Sequence, residues 1–357
     1  MSTLHPLLHP SSGRIPSSIP IIVSLIALGW LLATLWIPQE PIDDDGNPQR
    51  SRAVARSDQP ISPSPGSTSQ DPAPALDSLS PELRSVHELI HDLFLKTQWN
   101  AALDASTAHR VGRARDDLEA LLSSLGPEHV QLLTGLLKEE QDFVNRRFLL
   151  RALGLIGSDD ALSALVDHYH WSVGNQKESE VKHTVAALAA ADNDRSFEIL
   201  SALALSEEDQ RHRYRFVGAL SQHSRSSDAL GIYSQLLRDD SHFRVRQRAA
   251  FGMKVSGGIA DAAGIEAALL DEGNPYVRQS FLGALGGIRD VRSVPLVTRV
   301  LQEDSVLATR ISAVKALLRI EGDAVVDALR AARDDESQPQ RVRDEVIRAL
   351  AALGISE

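Results

Sequence analysis

The sequence predicts an all-α fold, an α-solenoid of helical hairpins preceded by one transmembrane helix and a disordered linker. Three observations predict it. A phrase rich in Arg, Ala and Leu returns about every 32 residues through the C-terminal two-thirds of the chain. Apolar residues there fall at helical spacing with brief Gly and Asp breaks, and no alternating strand pattern interrupts them. Ahead of that stretch lie a charge-free apolar run and a proline-rich tract, and neither suits the same core. The overall composition, 43% hydrophobic, 24% charged and without cysteine, averages these unlike segments into an ordinary globular profile.

The first element is a tail, residues 1–20. Residues Ile21 to Ile37 follow as an uncharged run bracketed by Pro20 and Pro38. As a helix it is roughly 26 Å long, at the short end of what crosses a hydrocarbon core, with Trp30 and Trp36 towards its exit. Bulky Leu35, Trp36 and Ile37 stand where a signal-peptidase site wants small residues, which favours an uncleaved signal-anchor over a removed leader. The missing cysteine excludes a lipoprotein anchor. A short tail, an apolar run and a large C-terminal part form the usual layout for export, so the repeat domain is expected on the extracytoplasmic (periplasmic) side. The arginines at 50, 52 and 56 argue the other way. From 38 to 80, prolines at 38, 41, 48, 60, 63, 65, 72 and 74 alternate with polar residues. Such a tract buries too little apolar surface to offset its chain entropy and is expected to be an extended tether.

A capping helical segment, 81–107, leads into the repeats at 108–357. The clearest copies begin at Val245 (VRQRAAFGM), Val277 (VRQSFLGAL), Thr309 (TRISAVKAL) and Val342 (VRDEVIRAL). Weaker copies begin at Asn145, Val181 and His212, and a fainter one spans Ala114 to Leu121. The basic residues fall at 146, 182, 213, 246, 278, 310 and 343, with residues 171–180 as an insertion that lengthens one unit. Each unit reads as two helices. In the clearest one, Val277, Phe281, Leu282 and Leu285 form one stripe, Gly286-Gly287 is expected to stop the helix, and Asp290 to cap the next, over about 291–302. The last copy stops after its first helix near Gly354, as a terminal cap would.

The sequence of acidic turn, Val-Arg, and an Ala/Leu/Gly helix resembles HEAT repeats, in particular the short PBS-lyase HEAT-like type. The resemblance implies a ladder between the Arg of one unit and the Asp of the turn. The matching residues are Arg213, Arg246, Arg278, Arg310 and Arg343, with Asp240, Asp271, Asp304 and Asp335. Their implied role is structural.

Few residues point to chemistry. His87-Glu88-Leu89-Ile90-His91 is a literal H-E-x-x-H, which on a helix sets two imidazoles on one face with Glu88 as base for a zinc-bound water. No further histidine follows at metzincin spacing, and Glu119 is the only tempting third ligand. An amphipathic capping helix with Val86, Leu89, Ile90, Leu93 and Phe94 inward accounts for the same residues. Resemblance to deoxyhypusine hydroxylase would imply several His-Glu dyads, and only one is present. The cluster His168-Tyr169-His170-Trp171 beside the insertion suits a partner-binding hot spot. Residues 81–357 carry 33 Lys and Arg against 41 Asp and Glu, which argues against a phosphate-tracking groove as in HEAT-like DNA glycosylases. Walker, dinucleotide and nucleophile-elbow motifs are absent.

The expectation is therefore a membrane-anchored scaffold or adaptor that binds protein partners and is not an enzyme. It is expected to need no cofactor, nucleic acid or small-molecule substrate. A zinc peptidase at 87–91 and a lyase-type handling of a chromophore or cofactor are the alternatives.

Overall fold

A computed structural model describes residues 79–97, 105–256 and 262–355. The tail, the run at 21–37 expected to form a transmembrane helix, and nearly all of the expected linker lie outside the described residues. Among the described residues there are sixteen α-helices and no strand, as the periodicity predicts. None of these helices is long and apolar enough to cross a membrane.

Helix α1 (Pro81–Thr97) packs on α2 (Ala105–Ser123), and α3 (Val130–Glu139) completes the first hairpin. The faint copy at 114–121 thus lies in a genuine first helix, with Val111, Ala114, Leu118 and Leu122 buried. Six hairpins follow, each with a first and a second helix. The first helices are α4 (Phe143–Ile156), α6 (Glu178–Ala190), α8 (Gln210–Leu220), α10 (Phe243–Ser256), α12 (Pro275–Ile288) and α14 (Leu307–Ile320). Their partners are α5 (Asp159–Gly174), α7 (Asp194–Ser206), α9 (Leu230–Asp239), α11 (Ala262–Asp271), α13 (Val294–Glu303) and α15 (Asp323–Asp334). A last first helix, α16 (Gln340–Ala352), ends the array ahead of Gly354 at φ +75°.

The two rows form two layers around one continuous aliphatic core running from Ile90 to Leu350. First helices touch one another much more closely than second helices do. Small residues at their crossings permit it. A Cβ on Gly286 would come within 2.9 Å of the Ala316 Cα, and one on Gly154 would strike the Ala187 carbonyl. Gly286 and Gly287 consequently lie inside α12 and do not stop it. The helix ends three residues later than expected, at Arg289, which takes the left-handed cap at φ +61°. The expected cap by Asp290 is present, its carboxylate accepting from the Arg292 N–H at 3.0 Å.

The expected insertion proves to be a longer second helix. Helix α5 continues to Gly174 before a short turn. This shifts the following register by one residue. Gly154 meets Ala187 as Gly286 meets Ala316, which places Val181, and not Lys182, at the position of the ladder arginines. Val181 is buried and Lys182 exposed, as that register requires.

Candidate interaction surface and the buried polar network

Four of the five ladder arginines, Arg213, Arg246, Arg278 and Arg310, share one geometry. Each sits in the first turn of a first helix and reaches back to the carbonyl six residues earlier, where the preceding second helix ends. Arg213, Arg246, Arg278 and Arg310 donate to the carbonyls of Glu207, Asp240, Glu272 and Asp304 at 2.6, 2.9, 3.1 and 2.5 Å. The guanidinium then bridges to the next turn. Arg213 pairs with Asp240 through Nε at 2.5 Å, and Arg278 with Asp304 through Nε at 2.8 Å. These two rungs match the sequence expectation. Arg246 instead pairs with Glu272 at 2.7 Å, and Asp271, one residue earlier, ends α11 exposed. Arg310 donates to Gln338 at 3.2 Å, while Asp335 accepts from Ser337 and Gln338. Arg343 bonds Gln340 of its own helix. The ladder therefore has fewer ionic rungs than the sequence predicts. A helix C-terminus leaves carbonyls unsatisfied, and the arginines supply donors there.

The predicted hot spot splits in two. His168 and Tyr169 are buried, whereas His170 and Trp171 are exposed, Trp171 by 43%. Helical geometry explains this: the two buried residues fall on the inner stripe of α5, and the two that follow continue round to solvent. The buried pair belongs to a polar network. Arg146 donates to Glu180 at 2.5 Å, His168 Nε2 lies 2.9 Å from the other oxygen of Glu180, and Trp171 stacks on His168 with centroids 5.1 Å apart. The Tyr169 hydroxyl donates to Glu207, the residue left without a ladder arginine because Val181 stands there. His212 Nε2 meets Glu178 at 3.0 Å. Burial holds the His168 imidazole below its ordinary pKa against the pull of Glu180. Burial, then Glu207, pushes the Tyr169 phenol up.

His87 and His91 share a face of α1, but Glu88 and His91 are exposed and Glu119 is paired with Arg151. Among the described residues no three His, Asp or Glu side chains are close enough together to hold a metal ion. Val86, Ile90, Leu93 and Phe94 face the core as the capping-helix reading expects, but Leu89 is 46% exposed.

One further constellation escaped the sequence. Ser196, His223 and Asp192 lie in line, with Ser196 Oγ 3.0 Å from His223 Nε2 and Asp192 3.3 Å from Nδ1. It resembles a nucleophile triad, but the protons run the wrong way. The Ser196 hydroxyl donates to the Asn193 carbonyl at 2.9 Å, so Nε2 must be the donor towards Ser196. Nδ1 accepts from the Arg225 N–H at 3.1 Å. Ser196 is wholly buried inside the capping box of α7. The cluster closes a helix terminus and lacks the base a nucleophile requires. The only sequence signal was a serine three residues after an Asn cap, which is a capping signal.

The remaining exposed groups are unequally divided. The seven first helices α4 to α16 carry 18 Lys and Arg but only 4 Asp and Glu; the six second helices carry 5 and 12. On the outer stripe of α8 and α10, Tyr214, Phe251 and Val255 are 37%, 41% and 48% exposed. The guanidinium carbon of Arg248 lies 5.5 Å from the Tyr214 ring centre and 5.1 Å from that of Phe251. His183, beside Arg147, Lys182 and Arg215, is pushed down to about 4, chiefly by burial and then by these cations.

The architecture is that of an α-solenoid of helical hairpins. Within it, residues 262–351 match the family of HEAT repeats. The folded part is also similar to several solved structures, at low identity. Human deoxyhypusine hydroxylase in complex with glycerol is 19% identical, over 75% of this chain and 96% of that one, with a TM-score of 0.31. The karyopherin Kap121p bound to the SUMO protease Ulp1p is 12% identical, over 76% of this chain and 33% of that one, with a TM-score of 0.45. The CpcE–CpcF complex of phycocyanin lyase from Nostoc sp. is 18% identical, over 78% and 99%, with a TM-score of 0.30. No curated protein sequence matches the chain.

Proposed function

We propose that the chain is a membrane-anchored HEAT-repeat scaffold whose repeat array binds another protein. The observation that carries this reading is the uncovered set of large side chains on helices whose inner faces are already packed. Tyr214, Phe251 and Val255 on the first-helix row and Trp171, Leu205 and Leu270 on the second contribute nothing further to the core. Stacked hairpins present such side chains as an extended surface, the kind of surface repeat proteins use for recognition. The anchoring half of the reading is supported by the charge-free run at 21–37 and the proline-rich spacer after it.

Two measurements test it. Full-length protein in membranes should resist extraction by alkaline carbonate, and a compartment-sensitive reporter fused after Glu357 should be active outside the cytoplasm. Release by carbonate would remove the anchor, and activity confined to the cytoplasm would reverse the orientation. Affinity capture from detergent-solubilised membranes, with cross-linking before lysis, should return a reproducible protein partner in contact with the repeats. Capture that returns none would remove the scaffold.

A further inference from the structure

The domain's net negative charge conceals a basic face. Of the 18 basic residues on the first helices, the ladder arginines 213, 246, 278 and 310 are held by turn carbonyls, three of them by carboxylates as well. Others remain on the solvent side. Arg147, Lys182, Arg244, Lys254, Lys315 and Arg319 are exposed, and no carboxylate among the described residues pairs with them. They recur on one helical stripe, so stacking the helices aligns them across the layer.

Arg248 is the centre of this face. Its guanidinium is held between the exposed rings of Tyr214 and Phe251 and lies across Gly218, where a Cβ would come within 2.8 Å of Nε. No carboxylate among the described residues pairs with it, and Nε is buried without a hydrogen-bond partner. Lys254 lies across Gly287, 6.0 Å from the Phe251 ring centre. On the next helix, a Cβ on Gly283 would meet nothing within 4 Å, so the strip between Phe251 and Lys315 is low and open. The repeat itself does not require these large side chains. The units on either side place Gly218 and Gly283 where this one has Phe251, and fold the same way.

We propose that this face, centred on Arg248, Phe251 and Lys254 and extending to Lys315, docks an acidic peptide segment of the partner protein. The proposal rests on the scaffold reading and names the chemistry of its partner. Arg248 Nε is buried against Gly218, but its terminal Nη donors are paired with no carboxylate, and the paired donors of a guanidinium match carboxylate geometry. Tyr214, Phe251 and Val255 offer apolar footing between the charges, which a peptide with alternating acidic and aromatic residues can fill. A polyphosphate backbone would find this row interrupted by apolar residues, where an acidic-aromatic peptide finds footing.

The test uses full-length protein in detergent micelles and a fluorescein-labelled peptide of repeating Glu-Phe-Glu-Gly, followed by anisotropy. Saturable binding is expected, weakened about tenfold or more by Arg248→Gln and by Phe251→Ser. Lys315→Gln should weaken it less, and Arg330→Gln, on the acidic second-helix layer, should leave it unchanged. Binding should also fall as salt rises. Circular dichroism checks that each variant keeps its helix content. The surface is overturned if both central variants bind like the parent, if a Lys-Phe-Lys-Gly peptide binds equally well, or if single-stranded RNA binds more tightly than the acidic peptide. A captured partner that cross-links through a photoreactive residue at Leu270 and not at Phe251 overturns the surface while leaving the scaffold standing.

Discussion

The units from Asn145 to Arg213 and those from Val245 to Arg343 use one backbone plan with different interiors. The residue before the ladder position is buried throughout the array. It is Asn145, Glu180 and His212 in the earlier units and Val245, Val277, Thr309 and Val342 in the later ones. In the later units three of the four are valines that need only methyl packing, the Thr309 hydroxyl is buried without a partner, and most of the polar bonding between neighbouring units is done by the ladder in the turns. In the earlier units the polar side chain at this position finds its partners in other segments. Asn145 bonds Glu140, Glu180 takes Arg146 and His168, and His212 meets Glu178. The HEAT-repeat match at 262–351 lies wholly within the regular half. A solenoid can thus be held by repetition or by a position-specific network, and only the first is recognisable as a family pattern.

The largest expected effect breaks the network. Glu180→Ala leaves the Arg146 guanidinium buried without its carboxylate and should cost about 3–5 kcal/mol. Val277→Ala, at the equivalent position in the regular half, should cost about 2 kcal/mol. Urea unfolding checks both, followed by Trp171 fluorescence after replacing the other tryptophans, Trp30, Trp36 and Trp99, with Phe. Equal costs would mean that the two interiors do not differ in kind.

Acid should separate the halves next. Burial and neighbouring cations hold His183 at about 4 in the folded chain, against an ordinary value of 6.5. Burial also lowers His168. The unfolded chain therefore takes up these protons first as pH falls. The stability involved is fully present above about 6.5 and is lost progressively towards 4, on the order of 2 kcal/mol for His183. Residues 262–355 contain no histidine. Hydrogen exchange at pH 5 should accelerate in α4 to α8 before α12 to α16, and His183→Asn should reduce the difference. Uniform acceleration would contradict it. Tyr169→Phe, which strips Glu207 of its stand-in for the missing arginine, should cost a smaller amount, about 1–2 kcal/mol in the same unfolding assay.

Most of the fold was legible because the repeat is a periodic signal. Period and apolar stripe together gave the helices, the hairpins and the Asp290 cap. Three misreadings have physical causes. Gly286-Gly287 reads as a helix stop when local propensity is all one has, but Gly286 is there because Ala316 approaches too closely for a side chain. Lys182 is counted in the basic period because charge identity is easier to see than register, and the longer α5 had displaced it by one. His168 reads as solvent-facing beside His170 because polar clusters commonly are; its burial, with that of Tyr169, depends on Glu180 and Glu207, 12 and 38 residues away from the side chains they bond. The basic face was invisible for the reason the segment boundaries were nearly so. Summed charge over 81–357 hides the basic first-helix row behind acidic second helices, turns and N-terminal helices.

The smallest predicted effect sharpens the comparison by finishing the ladder. Arg310 is the one bridging arginine of the regular half whose onward partner is neutral, Gln338, at 3.2 Å from Nη1 and only 3% exposed. Gln338→Glu would supply the missing carboxylate without changing side-chain length. The new charge gains a charge-assisted bond to a guanidinium already fixed by the Asp304 carbonyl. It also approaches Asp335, whose oxygen accepts from Gln338 Nε2 at 3.4 Å, and loses that bond to repulsion. The gain at the more deeply buried position 338 should exceed the loss at half-buried Asp335, leaving about 0.5 kcal/mol of stabilisation. Urea unfolding of Gln338→Glu and of the double variant with Arg310→Gln separates the two effects. The single change should stabilise and the double should not. If the single change destabilises, repulsion from Asp335 dominates, and glutamine is there because the turn already holds its carboxylate.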